Sequence, residues 1–318
     1  MSSIYISMPT LEDPEYIHTV EMLINNHSTD NEIFICSAVT TSDEWFEKTK
    51  RYLQPYPNIS LIKLDPLTQS GVGNGRYYSF WEYSGQDYVL QLDAHTKVEP
   101  NWDKIIIDIY NKALQYTNSD KVILTSYLGL YEYEKDGEYS YENGIPTVLD
   151  AKPMYASFSP GTKNGKGFIP NWVVTPNIDI PEDHKDKPFI PSNMFCGQFA
   201  FSDGRFATSS GVEKEAMFLD EELIQTVNLL DMGYSLVYPN TEMPFTHLYY
   251  WPGQSNKRQT LQDIVKDSRI NNDEKTYMKF MTSPKNKAKV ERFKKYTGIH
   301  PLMGTKKTLQ VPSDFNRI

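Results

Sequence analysis

The stretch Asp87-Tyr88-Val89-Leu90-Gln91-Leu92-Asp93-Ala94-His95 constrains the fold more than any other part of this chain. The residues from Tyr88 to Leu92 are apolar or tolerate burial, so the run reads as an inner strand of a sheet covered on both faces. It ends abruptly in an acid and a histidine one residue apart. Side chains alternate along an extended segment, so Asp93 and His95 point the same way. Two readings are open. A carboxylate and an imidazole at a strand end can bind one divalent cation, leaving its other positions for water or a phosphate. They can also simply form a turn.

The rest of the chain supplies the layers such a strand needs. Strand-like runs at Ile4 to Met8, Ile33 to Val39 and Ile59 to Leu64 alternate with helix-like runs at Glu15 to Asn25 and Trp45 to Leu53. That alternation predicts an α/β fold with a parallel sheet covered by helices. Ligands bind beyond the carboxyl ends of the strands in such sheets, which would gather Ser7, Met8, Val39, Thr40, Asp93 and His95. At 318 residues the chain has room for one large domain, or for a domain with an appendage.

Further along, Gly71, Gly73 and Gly75 precede an expected helix from Arg76 to about Ser84. A glycine-rich helix entry lets backbone amides approach a phosphate, although the spacing also suits an ordinary flexible loop. The Arg76 guanidinium at that helix start could bind a phosphate or hold the Asp93 carboxylate. A helix opening at Trp102 keeps Trp102, Ile105, Ile106, Ile109, Ala113 and Leu114 on one apolar stripe, which is core. Lys121 to Ser126 is another strand. From Tyr127 to Pro191 the composition turns to Tyr, Gly, Pro, Lys and Asp, with short strands expected at Pro146 to Val148, Met154 to Phe158 and Trp172 to Thr175. So long an insertion is expected to form a binding wall.

Phe195 to Phe201 resumes the sheet, and Gly197 within it allows a ligand or neighbouring backbone to come close. Asp220, Glu221 and Glu222 crowd a helix start. Anions are favoured there by roughly 0.3–1 kcal/mol each, but three in succession exceed what capping requires, so one is expected to face a substrate. Gly233 closes that helix. His247 follows among aromatics that suit either a sugar platform or a core.

Charge and cysteine content narrow the classes. The net charge of -9 and pI near 5.3 argue against a general nucleic-acid binder. The charge is uneven: residues 254–318 hold 15 Lys and Arg against 6 Asp and Glu, or +9, which leaves -18 for 1–253. Cys36 and Cys196 both fall in expected strands and read as reduced thiols. Met1-Ser2-Ser3 leads straight into a strand with no signal-peptide pattern, and no apolar run reaches membrane-spanning length, so a cytoplasmic protein is expected.

Taken in order, Gly75-Arg76, the Asp87 to His95 stretch with Trp102-Asp103, Gly197, Asp220-Glu221-Glu222, Gly233-Tyr234 and His247-Leu248-Tyr249 resemble the polypeptide N-acetylglucosaminyltransferases that modify hydroxyproline, a group with the GT-A fold. The resemblance runs from about Ile4 to Trp251. It implies a Rossmann-like mixed sheet flanked by helices over 1–253; composition makes 127–191 the acceptor-side insertion and 254–318 a basic, mostly helical extension, read as a solvated face in preference to a seat on an acidic partner, a phosphate or a membrane surface. The resemblance also implies a metal-dependent, retaining transfer of N-acetylglucosamine from UDP-GlcNAc to a hydroxyl of a protein or glycan acceptor. Asp93 and His95 would be the metal-binding pair and His247 the third ligand. Glu221 or Glu222, with Asp220 beside them, would be the catalytic acids near the sugar. Ser7, Glu12 and Asp13 lie where a uridine could be held, and Arg76, Asp93 and Gly197 are further candidates for holding the donor. Oxygen with imidazole ligation suits Mn²⁺ best and Mg²⁺ next. The chain departs from the group's pattern at Ala94, at Thr96-Lys97 and at Asp220, which bears on sugar and acceptor identity more than on metal binding. Two alternatives remain: a transferase acting on nucleic acid bases, supported only by the basic tail, and a nucleotide-sugar or glycan binder without turnover, which could dispense with a metal ligand.

Overall fold

A computed structural model describes residues 1–69, 71–133, 146–158, 172–174, 180, 182–217, 219–249, 275–298 and 301. The first half alternates as its hydrophobic pattern dictates: β1 (Ser2–Ser7), α1 (Tyr16–Asn25), β2 (Asn31–Thr40), α2 (Asp43–Leu53), β3 (Ile59–Leu64), α3 (Val72–Ser79) and β4 (Tyr88–Leu92). Then come β5 (Thr96–Val98), α4 (Trp102–Thr117), β6 (Val122–Thr125), β7 (Gly129–Tyr133), β8 (Pro146–Asp150), β9 (Ala156–Phe158), β10 (Trp172–Val174), β11 (Phe189–Pro191), β12 (Phe199–Asp203) and α5 (Arg205–Ser209). The chain continues through α6 (Leu219–Asp231), β13 (Ser235–Pro239), β14 (Phe245–His247), a helix α7 through 275–282, and α8 (Lys287–Thr297).

The main sheet has eight strands in the order β11-β13-β6-β12-β4-β1-β2-β3. Strands β4, β1, β2 and β3 run parallel, but β12 is antiparallel to both β4 and β6, and β11 is antiparallel to β13. The sheet is therefore mixed, as the resemblance implied, rather than parallel throughout, as strand and helix alternation alone suggested. The register Phe199↔Leu92 and Asp203↔Tyr88 has β12 entering at the carboxyl end of β4, where the preceding insertion lies. A return from that end needs no crossover helix.

Alternation along the inner strands builds two cores. Ile4, Ile6, Leu90 and Leu92 face α1 and α4, packing on Tyr16, Val20, Leu23, Trp102, Ile106 and Tyr110. Tyr5 and Val89 face the other way, into a cluster with Leu223, Ile224 and Val227 of α6 and with Tyr277, Phe280, Val290 and Phe293. The described part of the basic segment, 275–298, thus shares a core with the sheet, and α8 packs along α6. Fully burying side chains of this kind contributes about 1.5–3 kcal/mol each. Trp102 also satisfies its indole N–H, donating to Leu23 O at 3.0 Å. Ile105, expected in the same stripe, is 39% exposed, and Tyr110 fills the stripe instead. Ile105 lies at the stripe's margin, where helix rotation carries it off the sheet.

Beyond the end of β4 lies a second, four-stranded sheet in the order β5-β14-β7-β8. β9 and β10 pair with each other, while Thr175, the expected end of that last strand, lies outside the described residues. Gly233 adopts φ 79°, and Gly233 N–H and Tyr234 N–H close α6 on Leu230 O and Leu229 O. Both cysteines are free and buried. Among the described residues no helix is long and apolar enough to cross a membrane.

Candidate active site

The two sheets meet where β4 ends. Asp93 is held there by its N–H donating to Gln198 O at 3.1 Å. The turn that follows is fixed by Thr19 Oγ1 donating to Ala94 O at 2.8 Å and by Thr96 Oγ1 donating to Asp93 O at 2.9 Å. β14 then pairs with β5 in the register His247↔Thr96, and Leu248 N–H donates to His95 O at 3.1 Å. This pairing carries His247 to the other two side chains. One ligand atom from each of Asp93, His95 and His247 lies within 4.8 Å of the others. The two imidazole rings sit 4.4 Å apart at 69°, and His247 Nε2 is 3.4 Å from Asp93 Oδ2.

The electrostatics suit cation binding. Burial pushes the Asp93 carboxyl up, but the His247 hydrogen bond and the charge of Arg76 outweigh it and hold it well below the usual carboxylate range. Burial and the neighbouring His95 push His247 down to about 4, so its imidazole is neutral and keeps a lone pair. The Asp93 and His95 side chains are 25% and 19% accessible, against 5% for His247, so the cluster opens to one side.

Arg76 links this cluster to the acids of α6. Its side chain is 4% exposed, with Nη2 donating to Asp93 Oδ1 at 3.3 Å and Nε 2.9 Å from Glu221 Oε1. The latter contact is an ion pair at a poor hydrogen-bonding angle: Arg76 Nε and Nη1 and Glu221 Oε1 are buried without hydrogen bonds. Glu222 turns to the sheet instead. Gly197 N–H donates to its Oε1 at 2.6 Å and Tyr127 OH to its Oε2 at 3.0 Å. Burial first, then the adjacent Glu221, push Glu222 up to about 8. Burial likewise raises Glu221, opposed by Arg76. The Asp220 side chain lies outside the described residues.

Gly197 is the position around which these groups close. A Cβ there would stand 2.8 Å from Arg76 Nη2, 3.1 Å from Glu221 Oε2 and 3.3 Å from Glu222 Oε1. The close approach expected of this glycine is therefore with three protein side chains. The other glycines correct the phosphate-loop expectation. α3 begins at Val72, so Gly73 and Gly75 lie inside it and Arg76 in its last turn. Val72 and Gly73 donate their N–H groups to Met217 O and Ala216 O, and Cβ atoms at Gly73 and Gly75 would strike Glu213 O at 2.3 Å and Pro9 Cβ at 2.7 Å. Tight packing explains both glycines.

The residues expected around a uridine are engaged within the protein. Ser7 has no exposed surface and its Oγ is 2.5 Å from Ser79 Oγ, beneath α3. Glu12 Oε1 accepts from Thr41 Oγ1, Ser42 N–H and Ser42 Oγ at 2.7–2.9 Å, bracing the N-cap of α2. Asp13 faces His95, with Oδ2 2.8 Å from Nδ1. Four tyrosines take part that the sequence did not single out as site residues, although Tyr249 closes the His247-Leu248-Tyr249 motif. Tyr127 opens the insertion, Tyr249 OH lies 2.8 Å from both Leu128 O and Gln198 Oε1, and Tyr131 and Tyr133 donate to the buried Glu15 carboxylate. Only contacts made across the fold single them out from the chain's other tyrosines.

A mixed sheet flanked by helices is the architecture of the GT-A glycosyltransferases. The fold is similar to that of GalNAc-T7 crystallised with UDP, GalNAc and Mn²⁺, with a TM-score of 0.58 and 13% identity over 92% of this chain and 54% of that one. The chain thus spans about half the length of GalNAc-T7. The S. aureus TarS 1-349 structures, without and with UDP-GlcNAc, match at TM-scores of 0.43 and 0.44 and 11% identity, over 92% of this chain and 80% and 79% of theirs. In sequence, residues 24–299 match the glycosyltransferase (GlcNAc) family, and the chain belongs to it. No curated protein matches the chain in sequence.

Proposed function

We propose that this chain transfers N-acetylglucosamine from UDP-GlcNAc to a hydroxyl of a protein or glycan acceptor, with retention and with the help of a divalent metal. The observation that carries the reading is the convergence of Asp93 and His95 with the sequence-distant His247, to within 4.8 Å, beside the buried Arg76 and the α6 acids. One carboxylate held ionised and a neutral imidazole at His247 fit Mn²⁺, with Mg²⁺ second. The UDP and Mn²⁺ bound in GalNAc-T7, whose fold is similar, and the match to the GlcNAc glycosyltransferase family support a metal-assisted transfer from a UDP-sugar. The resemblance to the hydroxyproline-modifying transferases supports retention and a hydroxyl acceptor.

Transfer breaks the bond between the anomeric carbon and the UDP oxygen and forms one to the acceptor oxygen, while the proton of the acceptor hydroxyl passes to the departing UDP. The bound ion would supply Lewis-acid stabilisation of the charge on the departing diphosphate, worth several kcal/mol. Arg76 holds the Asp93 carboxylate in place and balances Glu221. Glu222, the more exposed of the two glutamates, titrates near neutral pH and can hold or pass a proton at Oε2, which it shares with Tyr127. Glu222 is thus the candidate catalytic acid, and Glu221 is the positioning partner of Arg76.

The test is hydrolysis of a panel of UDP-sugars with and without Mn²⁺, for the wild type and His95→Ala. UDP-GlcNAc is expected to turn over fastest, and the substitution to remove most activity while leaving the fold intact, since a strand-end ligand adds little to the core. Equal turnover under chelation, or an unaffected His95→Ala enzyme, would eliminate the metal mechanism.

A further inference from the structure

We infer that Asp13 is the positioning residue that orients His95 as a ligand, and that the Asp13-Pro14-Glu15 segment ties that histidine to the strand beside His247. The inference rests on the metal reading above and assigns it a residue outside the ligand set. Asp13 is 3% exposed and Glu15 fully buried, so neither carboxylate is a solvated surface charge. Asp13 Oδ2 lies 2.8 Å from His95 Nδ1, while Oδ1 accepts the Glu15 N–H at 2.9 Å. The Asp13 carbonyl in turn accepts the Tyr16 N–H at 3.2 Å, which anchors the segment at the start of α1.

A carboxylate accepts hydrogen bonds, so at this contact His95 Nδ1 carries the hydrogen and Nε2 keeps the lone pair a metal requires. The same contact fixes the rotation of the ring about its bond to the main chain. Behind Asp13 the brace continues, because Glu15 Oε2 accepts from Tyr131 OH at 3.4 Å and from Tyr133 OH. Both tyrosines belong to β7, which pairs with β14 in the register His247↔Leu130. One short segment therefore touches His95 itself and the strand beside His247. The carboxylate on the far nitrogen of a ligating imidazole raises its basicity, and losing such a partner typically weakens metal binding 10–100-fold.

Mn²⁺ binding to the purified full chain is measured by the electron paramagnetic resonance signal of free Mn²⁺, for wild type, Asp13→Asn and Asp13→Ala. The tautomer of His95 is read separately in metal-free protein by nitrogen-15 NMR. Wild type is expected to bind Mn²⁺ and to show His95 protonated on Nδ1. Asp13→Ala is expected to bind about 10–100-fold more weakly and to move the hydrogen toward Nε2, with Asp13→Asn intermediate. If Asp13→Ala fails to fold, the isosteric Asp13→Asn and the wild-type tautomer decide the matter. Unchanged affinity in folded variants, or a wild-type His95 protonated on Nε2, overturns the role of Asp13 and leaves the metal reading standing. A wild type that does not bind Mn²⁺ overturns both.

Discussion

Asp93 and Glu222 are both carboxylates near Arg76, yet their environments drive them in opposite directions. Asp93 stands at the open edge between the two sheets, and the His247 hydrogen bond and the Arg76 charge defeat its burial, so it stays ionised. Glu222 sits on the α6 side, where burial and its neighbour Glu221 prevail over the Gly197 amide and the Tyr127 hydroxyl, so it titrates near pH 8. The difference follows from which groups solvate each carboxylate once water has been removed: an imidazole and a guanidinium for Asp93, an amide, a hydroxyl and a like charge for Glu222. One guanidinium thus separates an edge suited to holding positive charge from a dry wall suited to holding a proton.

Removing that guanidinium breaks the comparison most severely. Arg76→Met leaves Glu221 buried without a cation and is expected to cost about 3–5 kcal/mol in denaturant unfolding, the usual penalty for breaking a buried ion pair. Adding Glu221→Gln should restore most of that stability. Adding Asp93→Asn should restore less, because Asp93 retains its histidine partners and partial exposure. If the two double mutants recover equally, the two sides of Arg76 do not differ as described.

A smaller effect separates the two sides by pH. Because Glu222 has a raised folded-state pKa, the stability tied to its protonated form is complete below the unfolded value of about 4.3 and is lost as pH rises through about 8. Glu222→Gln should therefore flatten the fall in melting temperature between pH 5 and 9 and be more stable than wild type at the alkaline end. Parallel melting curves for the two proteins would contradict the raised pKa.

The smallest effect comes from Tyr127→Phe, which deletes one hydrogen bond to Glu222 at a cost of about 1 kcal/mol. That hydroxyl favours the charged carboxylate, so its loss should move the Glu222-linked limb of the pH-rate profile upward and leave Mn²⁺ affinity unchanged. A fall in Mn²⁺ affinity would mean that the wall and the edge are coupled.

Much of this was legible in the chain. The apolar run at Tyr88 to Leu92 announced a doubly covered strand, and the Asp93 and His95 spacing announced a shared direction, because strand periodicity is a local property. The acids of α6 announced themselves because three exceed the needs of one helix start. The glycines before Arg76 misled, since spacing alone does not distinguish an amide free for phosphate from one committed to Ala216 and Met217. Asp13 was legible as an acid near a strand end that could hold the donor, not as the partner of a histidine. Its neighbour His95 is distant in sequence, so nothing local indicates which way its carboxylate turns.

By itself, then, the sequence determined the alternating layers, the strand that ends in Asp93 and His95, and the family to which the chain belongs. Only the tertiary structure decided that β12 runs backwards through the sheet, that His247 is carried to the cluster by its pairing with β5, that Gly197 makes room for Arg76 and the two glutamates, and that Asp13 stands behind His95. The physical reason is the range of the forces involved. Periodicity and capping act over a few residues, whereas strand register, close approach at a glycine and the solvation of a buried charge depend on partners that only folding brings together.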